Sequence, residues 1–213
     1  SRLSGLEIVE EDSTSVTLQS MVDVTQLPVE KTLERMEVIL RSMINDLEKA
    51  IENPRIASMI VDRDNELDKF YFLLCKQIFI SLKDREVGEK IGVNSSLEAL
   101  PLKTYAKCIE EMGDAVVSIS RIVSTSRLSK EDVGTMKSMF SDCVKVFRHN
   151  DSRAKKRIVM RYNKFAQKLQ SAFKDLSPTQ KMVAMQIARF NSLCIDVIEA
   201  HVERLALTVD RLA

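Results

Sequence analysis

The amino-acid sequence predicts an all-α protein of two tandem three-helix bundles, preceded by a short segment that favours β-structure. The 213 residues include only five Gly and four Pro, the two residue types that most often interrupt helices. Hydrophobic residues make up 45% of the chain and charged residues 30%, as in amphipathic helices that share a core. In six segments the hydrophobic residues recur every three or four positions, as along one face of a helix.

The first 27 residues differ from the rest of the chain. Two runs, residues 7–11 and 15–20, favour β-strands and flank a polar turn at residues 12–14. A lone hairpin is barely stable, so we expect this one to pack on the helices or on another structure. The chain starts with Ser-Arg-Leu-Ser and no Met, so we expect the natural N-terminus to be missing.

Three helices are predicted in the first half of the chain. Pro28 is favourable at a helix start, and the Asn53-Pro54 pair separates the first helix from the second. The first helix has a regular hydrophobic face. That face consists of Leu33, Met36, Leu40, Met43 and Leu47. We place the three helices at residues 29–51, 55–83 and 101–126, with a polar linker at 84–100.

Three more helices are predicted in the second half. Ser129 is a predicted N-cap, with Asp132 completing a start that resembles a capping box. Asp151 begins the next helix, and Ser177 with Pro178 begins the last, which continues almost to the end. The middle helix of the three is predicted to turn Ile158, Tyr162, Phe165, Leu169 and Phe173 inward.

The order helix, charged helix, helix therefore occurs twice, which indicates two related three-helix bundles. The two halves align loosely: "ELDKF" at 66–70 matches "RYNKF" at 161–165, and "MGDAV" at 112–116 matches "RFNSL" at 189–193. We divide the chain into a junction segment and two repeats. Their bounds are residues 1–27, 28–127 and 128–213.

Composition argues against several classes of protein. The net charge of +1 is untypical of a general nucleic-acid binder. No hydrophobic run approaches the roughly 20 residues of a membrane-spanning helix. The four cysteines form no C-x-x-C pair and fall on or near hydrophobic helix faces, so we interpret them as core thiols in a reducing cytosol. They are Cys75, Cys108, Cys143 and Cys194.

Acidic pairs four residues apart mark the second and third helices. Asp64 and Asp68 lie on one face of the second helix, and Glu110 and Asp114 on one face of the third. A carboxylate near a hydrophobic face is costly unless something positive is close by. Four carboxylates of one bundle could surround a hard cation such as Mg²⁺ or Mn²⁺, although ordinary surface acids have the same spacing. Gly113, inside the helix, would permit a close approach of a neighbouring helix or of a ligand.

The segments "RDNELDKFYFLL" and "IEEMGDAVVSI" resemble the PhoU family of phosphate-uptake regulators over residues 28–213. The resemblance implies two three-helix repeats and a metal such as iron, zinc, manganese or magnesium at Asp64, Asp68, Glu110 and Asp114. It also implies a cytoplasmic homodimer that contacts the ATPase subunit of a phosphate transporter or a sensor kinase. The opening "SGLEIVEED" through "LPVEKTLERM" looks like the junction of archaeal members, in which an AbrB-type DNA-binding domain comes first. DNA binding would then require that missing domain.

The second repeat departs from the family pattern. At the positions aligned with the four acids it has Val159, Asn163, Ile187 and Asn191. Because none of these side chains carries a negative charge, we predict a metal site in the first repeat only.

The fifth helix is strongly basic, with Asp151 the only acid near its start. A solvated face is the usual explanation of such a run, and a docking surface for an acidic partner or phosphates is the functional one. The predicted docking residues are Arg153, Lys156, Arg157, Arg161 and Lys164.

No enzyme is predicted. The sequence has no Walker motif, no E-x-x-H ligand pair and no nucleophile with an evident histidine partner. We interpret His201, on the hydrophobic face of the last helix, as a core residue. The favoured function is a non-enzymatic regulator of phosphate homeostasis, transcriptional if a DNA-binding domain is attached. The alternative is a structural dimerisation scaffold that binds no ligand.

Overall fold

The computed structural model describes residues 6–11, 16–20, 25–126 and 128–209. Within these residues the chain forms one hairpin, seven α-helices and two short 3-10 turns, Pro54–Ile56 and Phe173–Asp175. The prediction of an all-α fold with a short N-terminal β-segment is confirmed. The helices are α1 Val29–Ala50, α2 Ala57–Lys83, α3 Arg85–Ile91, α4 Ser96–Ser120, α5 Lys130–His149, α6 Ser152–Ala172 and α7 Pro178–Val209.

The hairpin joins β1, Leu6–Glu11, to β2, Val16–Ser20. The two strands are antiparallel, and the register shifts between Ile8 and Glu10. The two predicted β-runs therefore pair with each other. The turn predicted at residues 12–14 lies outside the described residues.

Side-chain caps fix several helix starts. The hydroxyl of Ser129 accepts a hydrogen bond from the backbone N–H of Asp132, and the Asp132 carboxylate accepts one from the Ser129 N–H. This reciprocal pair confirms the predicted capping box. Asp151 likewise caps α6 by accepting hydrogen bonds from two backbone N–H groups.

The predicted linker at residues 84–100 is wrong, because it contains α3 and the first turn of α4. The carboxylate of Asp84 caps α3, and Gly92 ends it in the left-handed conformation, with φ of 85°. Ser95 then caps α4, so Pro101 lies inside that helix and does not begin it. The sequence prediction began this helix at Pro101, because proline is favourable in the first turn, whereas the helix already begins after Ser95.

Two three-helix bundles make up the body of the fold, as predicted. Helices α1, α2 and α4 pack together in the first bundle, with α3 against α2, and α5, α6 and α7 form the second. The bundles meet where α4 packs on α7 and α1 packs on α5. One hydrophobic core runs through both.

The predicted inward face of α1 is buried throughout. The interpretation of the cysteines as core thiols holds for Cys108, Cys143 and Cys194, which are buried and free, whereas Cys75 is half-buried. His201 is buried, as predicted, and its Nε2 lies 2.8 Å from Oδ1 of Asn150. Of the residues predicted to face inward on the middle helix, Phe173 fails: it lies in the turn after α6 and is 37% exposed. Among the described residues, no helix is both long enough and apolar enough to span a membrane.

Candidate functional site

The packing of α2 on α4 brings the two acidic pairs of the first repeat together. Gly113 makes the approach possible, because a Cβ there would lie 2.6 Å from Cδ2 of Leu67 and 3.2 Å from Oδ1 of Asp64. The role expected for this glycine, to admit a neighbouring helix, is therefore what the packing requires. Asp64 lies directly against the backbone of α4.

The pKa of Asp64 is strongly raised. Burial raises the pKa of its carboxyl to about 7, and the carboxylates of Asp68, Asp114 and Glu110 act in the same direction, against a smaller opposing effect of Arg121. Its Oδ1 is buried and has no hydrogen-bond partner within the described part of the chain. A cation bound here would reduce the repulsion between the carboxylates and compensate Asp64 for the hydration that burial removes.

Two cations already lie beside the other acids. Nζ of Lys107 is 2.6 Å from Oε2 of Glu110 and 3.5 Å from a carboxylate oxygen of Glu111. From the second repeat, Nη2 of Arg189 reaches Glu111 at 3.4 Å and Asp114 at 3.8 Å. Burial raises the pKa of Glu110 even though Lys107 opposes the shift. The positive groups expected near the acids are thus present, but they contact Glu110 and Asp114.

The donors suit a hard cation in chemistry, since all four side chains supply carboxylate oxygens and one of those oxygens is buried with no partner among the described residues. In their present positions they do not form a complete set of ligands. Among the described residues, no three His, Cys, Asp or Glu side chains are grouped closely enough to hold a metal ion. Binding would require the side chains to converge, with Glu110 turning away from Lys107.

The corresponding helix pair of the second repeat is α6 with α7. Ile187 and Asn191 of α7 are buried between the helices, whereas Val159 is 41% exposed on α6 and Asn163 is also exposed. None of the four side chains carries a charge. The prediction of a metal site in the first repeat only stays a prediction.

The predicted docking residues of α6 fall into two groups. Arg157 and Arg161 both donate hydrogen bonds to the carboxylate of Asp142 on α5, at 2.6–2.9 Å. Asp142 is buried, so these two arginines hold α6 against α5. The other three are exposed on the surface of α6. They are Arg153, Lys156 and Lys164.

The first repeat contains the same arrangement, which the sequence analysis missed. Asp46 of α1 is buried and accepts a hydrogen bond from Nε of Arg63 on α2 at 2.8 Å. Each repeat thus anchors its second helix through an arginine bonded to a buried aspartate of its first helix. The sequence contained one sign of this arrangement: in both repeats an aspartate, Asp46 or Asp142, lies beside the hydrophobic face of the first helix.

A second missed feature connects the repeats. Glu37 of α1 is buried and accepts hydrogen bonds from the hydroxyl of Tyr105 on α4 and from Nε of Arg148 on α5, both at 2.7 Å. The Tyr105 ring stacks on Phe147 with 3.8 Å between the ring centres. This network fixes the first bundle against the second.

The fold and the carboxylate group define a two-repeat helical bundle with a candidate cation site in its first repeat. Residues 33–123, which span most of α1 and all of α2, α3 and α4, match the sequence model of the PhoU domain. This segment, slightly less than half of the chain, is similar to the PhoU domain. No curated protein and no solved structure matches the chain.

Proposed function

We propose that this protein is a non-enzymatic regulator of phosphate uptake that acts through contacts with other proteins. The observation that carries the proposal is the PhoU-domain match over residues 33–123, the part of the chain that contains both acidic pairs. The proposed partner is the ATPase subunit of a phosphate transporter or a sensor kinase. We further propose a cytoplasmic homodimer, and transcriptional regulation where an AbrB-type domain precedes the chain.

In this proposal a metal ion binds among Asp64, Asp68, Glu110 and Asp114 of the first repeat only. Two observations support it: Oδ1 of Asp64 has no hydrogen-bond partner in the described part of the chain, and the other three carboxylates raise the pKa of Asp64. The bound ion would hold α2 against α4 and so shape the outer surface of the first bundle. The candidate ions are iron, zinc, manganese and magnesium. Because all the donors are oxygen atoms, they favour hard cations such as Mg²⁺ and Mn²⁺.

The proposed docking surface on α6 is formed by Arg153, Lys156 and Lys164, which are exposed. Arg157 and Arg161 contribute less to it, because Asp142 occupies them. An acidic surface on the partner would complement these cations.

Phosphate uptake in cells that lack the gene tests the proposal. Returning the wild type should restore restraint of uptake at high external phosphate, and Asp68→Ala/Asp114→Ala should fail to do so. The matched control is Asp62→Ala/Glu66→Ala, which removes two exposed acids of the same helix. Under the alternative, a dimerisation scaffold without a ligand, both double variants would act like the wild type.

The docking surface has its own test. Charge reversal at Arg153, Lys156 and Lys164 should weaken co-purification with the transporter ATPase, whereas reversal of three exposed cations of the first repeat should not. Those control positions are Arg55, Arg85 and Lys90. Equal effects of the two triple variants would reject this surface.

A further inference from the structure

The contact between α6 and α7 is looser than any other in the second bundle. Only Ala154 and Ile158, near its start, are buried on α6. Further along the helix, Phe165 and Leu169 are half-buried and Met160 is exposed. The hydrophobic face of α6 is thus only partly covered by α7.

A cavity of about 460 Å³ lies between the two helices. Its walls include Tyr162, Phe165, Leu169 and Phe173 from α6 and the turn that follows it, and Ala188 and Asn191 from α7. A smaller cavity of about 160 Å³ lies on the other side of Phe165 and Leu169. The larger volume is within the range of small-molecule sites, about 300–1,000 Å³.

Asn191 is one of the polar residues that line this cavity. The residue is 1% exposed, and within the described residues neither its Oδ1 nor its Nδ2 has a hydrogen-bond partner. A buried amide with both atoms unpaired is costly, and such a group in a native structure requires an explanation. Because Asn191 also lines the cavity, a molecule bound there could satisfy both atoms once the amide turns towards it.

We propose that the α6–α7 cavity binds a small, flat, mainly apolar molecule that carries a hydrogen-bond donor and an acceptor side by side. Phe165, Tyr162 and Phe173 supply ring faces and edges for its body. The amide of Asn191 accepts from the donor through Oδ1 and donates to the acceptor through Nδ2. A primary amide, a lactam or a nucleobase edge has this pattern.

The charge of the lining limits the ligand further. Lys174 is the one charged side chain that the structure places in this lining. The ligand is therefore neutral or carries a single negative charge. This separates the cavity from the carboxylate group of the first repeat, which lies in the corresponding helix pair and favours cations. The inference does not depend on the role in phosphate uptake.

Titration of the ¹⁵N-labelled full chain with benzamide tests the proposal by chemical-shift changes in nuclear magnetic resonance spectra. Benzamide has a ring and an adjacent donor and acceptor, and acetophenone has the same size and shape with a methyl group in place of the donor. We expect benzamide to shift amides of α6 and α7 saturably, with a Kd on the order of 1 mM. Acetophenone should bind about tenfold more weakly, because Oδ1 of Asn191 would stay unpaired.

Asn191→Leu identifies the polar contact. It should lower the affinity for benzamide about tenfold and that for acetophenone less, because benzamide loses two hydrogen bonds and acetophenone one. Asn163→Leu, an exposed change on α6, is the matched control and should leave both affinities unaltered. Asn191→Ala serves the same purpose if the leucine variant does not fold. The proposal is overturned if benzamide gives no saturable shifts in α6 and α7, or if it binds equally to the wild type and both Asn191 variants.

Discussion

Replacing Asp64 with Asn should stabilise the protein in the absence of metal ions. The carboxyl of Asp64 is half-buried, faces three other carboxylates and has one oxygen without a partner among the described residues. Asparagine has nearly the same shape and no charge, so the variant removes the repulsion without leaving a space. Neutralising an ordinary surface acid would not raise the stability in this way, so a stabilising effect distinguishes Asp64 from such a residue.

The size of the effect follows from the pKa. Its rise from 3.8 to about 7 would correspond to about 4 kcal/mol for a group shielded from water. Because the carboxyl is half-exposed, solvent screening reduces this, and we expect about 2 kcal/mol. For a chain of this length that is a rise in Tm of about 4–8 °C.

The pH dependence has a definite sign. The raised pKa means that folded Asp64 keeps its proton between about pH 4 and pH 7 while the unfolded chain has lost it. The wild type therefore loses stability as the pH rises through this window, and the Asn variant does not. The gap between the two should widen from pH 4 to pH 7 and stay constant above.

Thermal melts in a chelating buffer at pH 5 and pH 8 measure this gap. Asp62→Asn, an exposed change on the same helix, is the matched control and should shift Tm by less than about 2 °C at either pH. An Asp64→Asn variant that melts at or below the wild-type temperature at pH 8 would refute the reasoning.

Two further predictions concern stability. Gly134→Ala should stabilise α5 by up to about 1 kcal/mol, since a Cβ there meets nothing within 4 Å, whereas Gly92→Ala should cost about 1 kcal/mol because φ is 85°. Denaturant melts that rank the two variants in the reverse order would contradict this. Asp142→Asn should cost about 2 kcal/mol at pH 7 by weakening the bonds from Arg157 and Arg161. Burial raises the pKa of Asp142, but the bonds from the two arginines outweigh it and the pKa is lowered overall. The stability lost in the Asn variant should therefore shrink as the pH falls below about 4. An equal loss at pH 3 would count against the ion pairs.

The features that the sequence predicted well are those decided by local periodicity. The face of α1 could be identified because Leu33, Met36 and Leu40 recur at helical spacing, and all three are buried. The facing acidic pairs were predictable for the same reason, since residues four apart share a helix face. The capping box at Ser129 is likewise a local signal.

The features that were missed depend on contacts between distant residues or on short segments. Helix α3 spans seven residues, too few for a clear period, and its caps at Asp84 and Gly92 carry the signal. The pattern of α6 showed an amphipathic helix, but periodicity does not reveal whether a neighbour covers the apolar face. Likewise, the contact of Arg189 with Asp114 joins two repeats and has no signature in either segment.

The most direct test of the account is elemental analysis of the protein purified without chelators, beside Asp68→Ala/Asp114→Ala. The proposed first-repeat site predicts a stoichiometric metal in the wild type that is lost from the double variant, while both remain folded. Absence of metal from both proteins, with unchanged melting, would contradict the site and favour the scaffold alternative. An equal metal content in both would place the ion elsewhere in the chain.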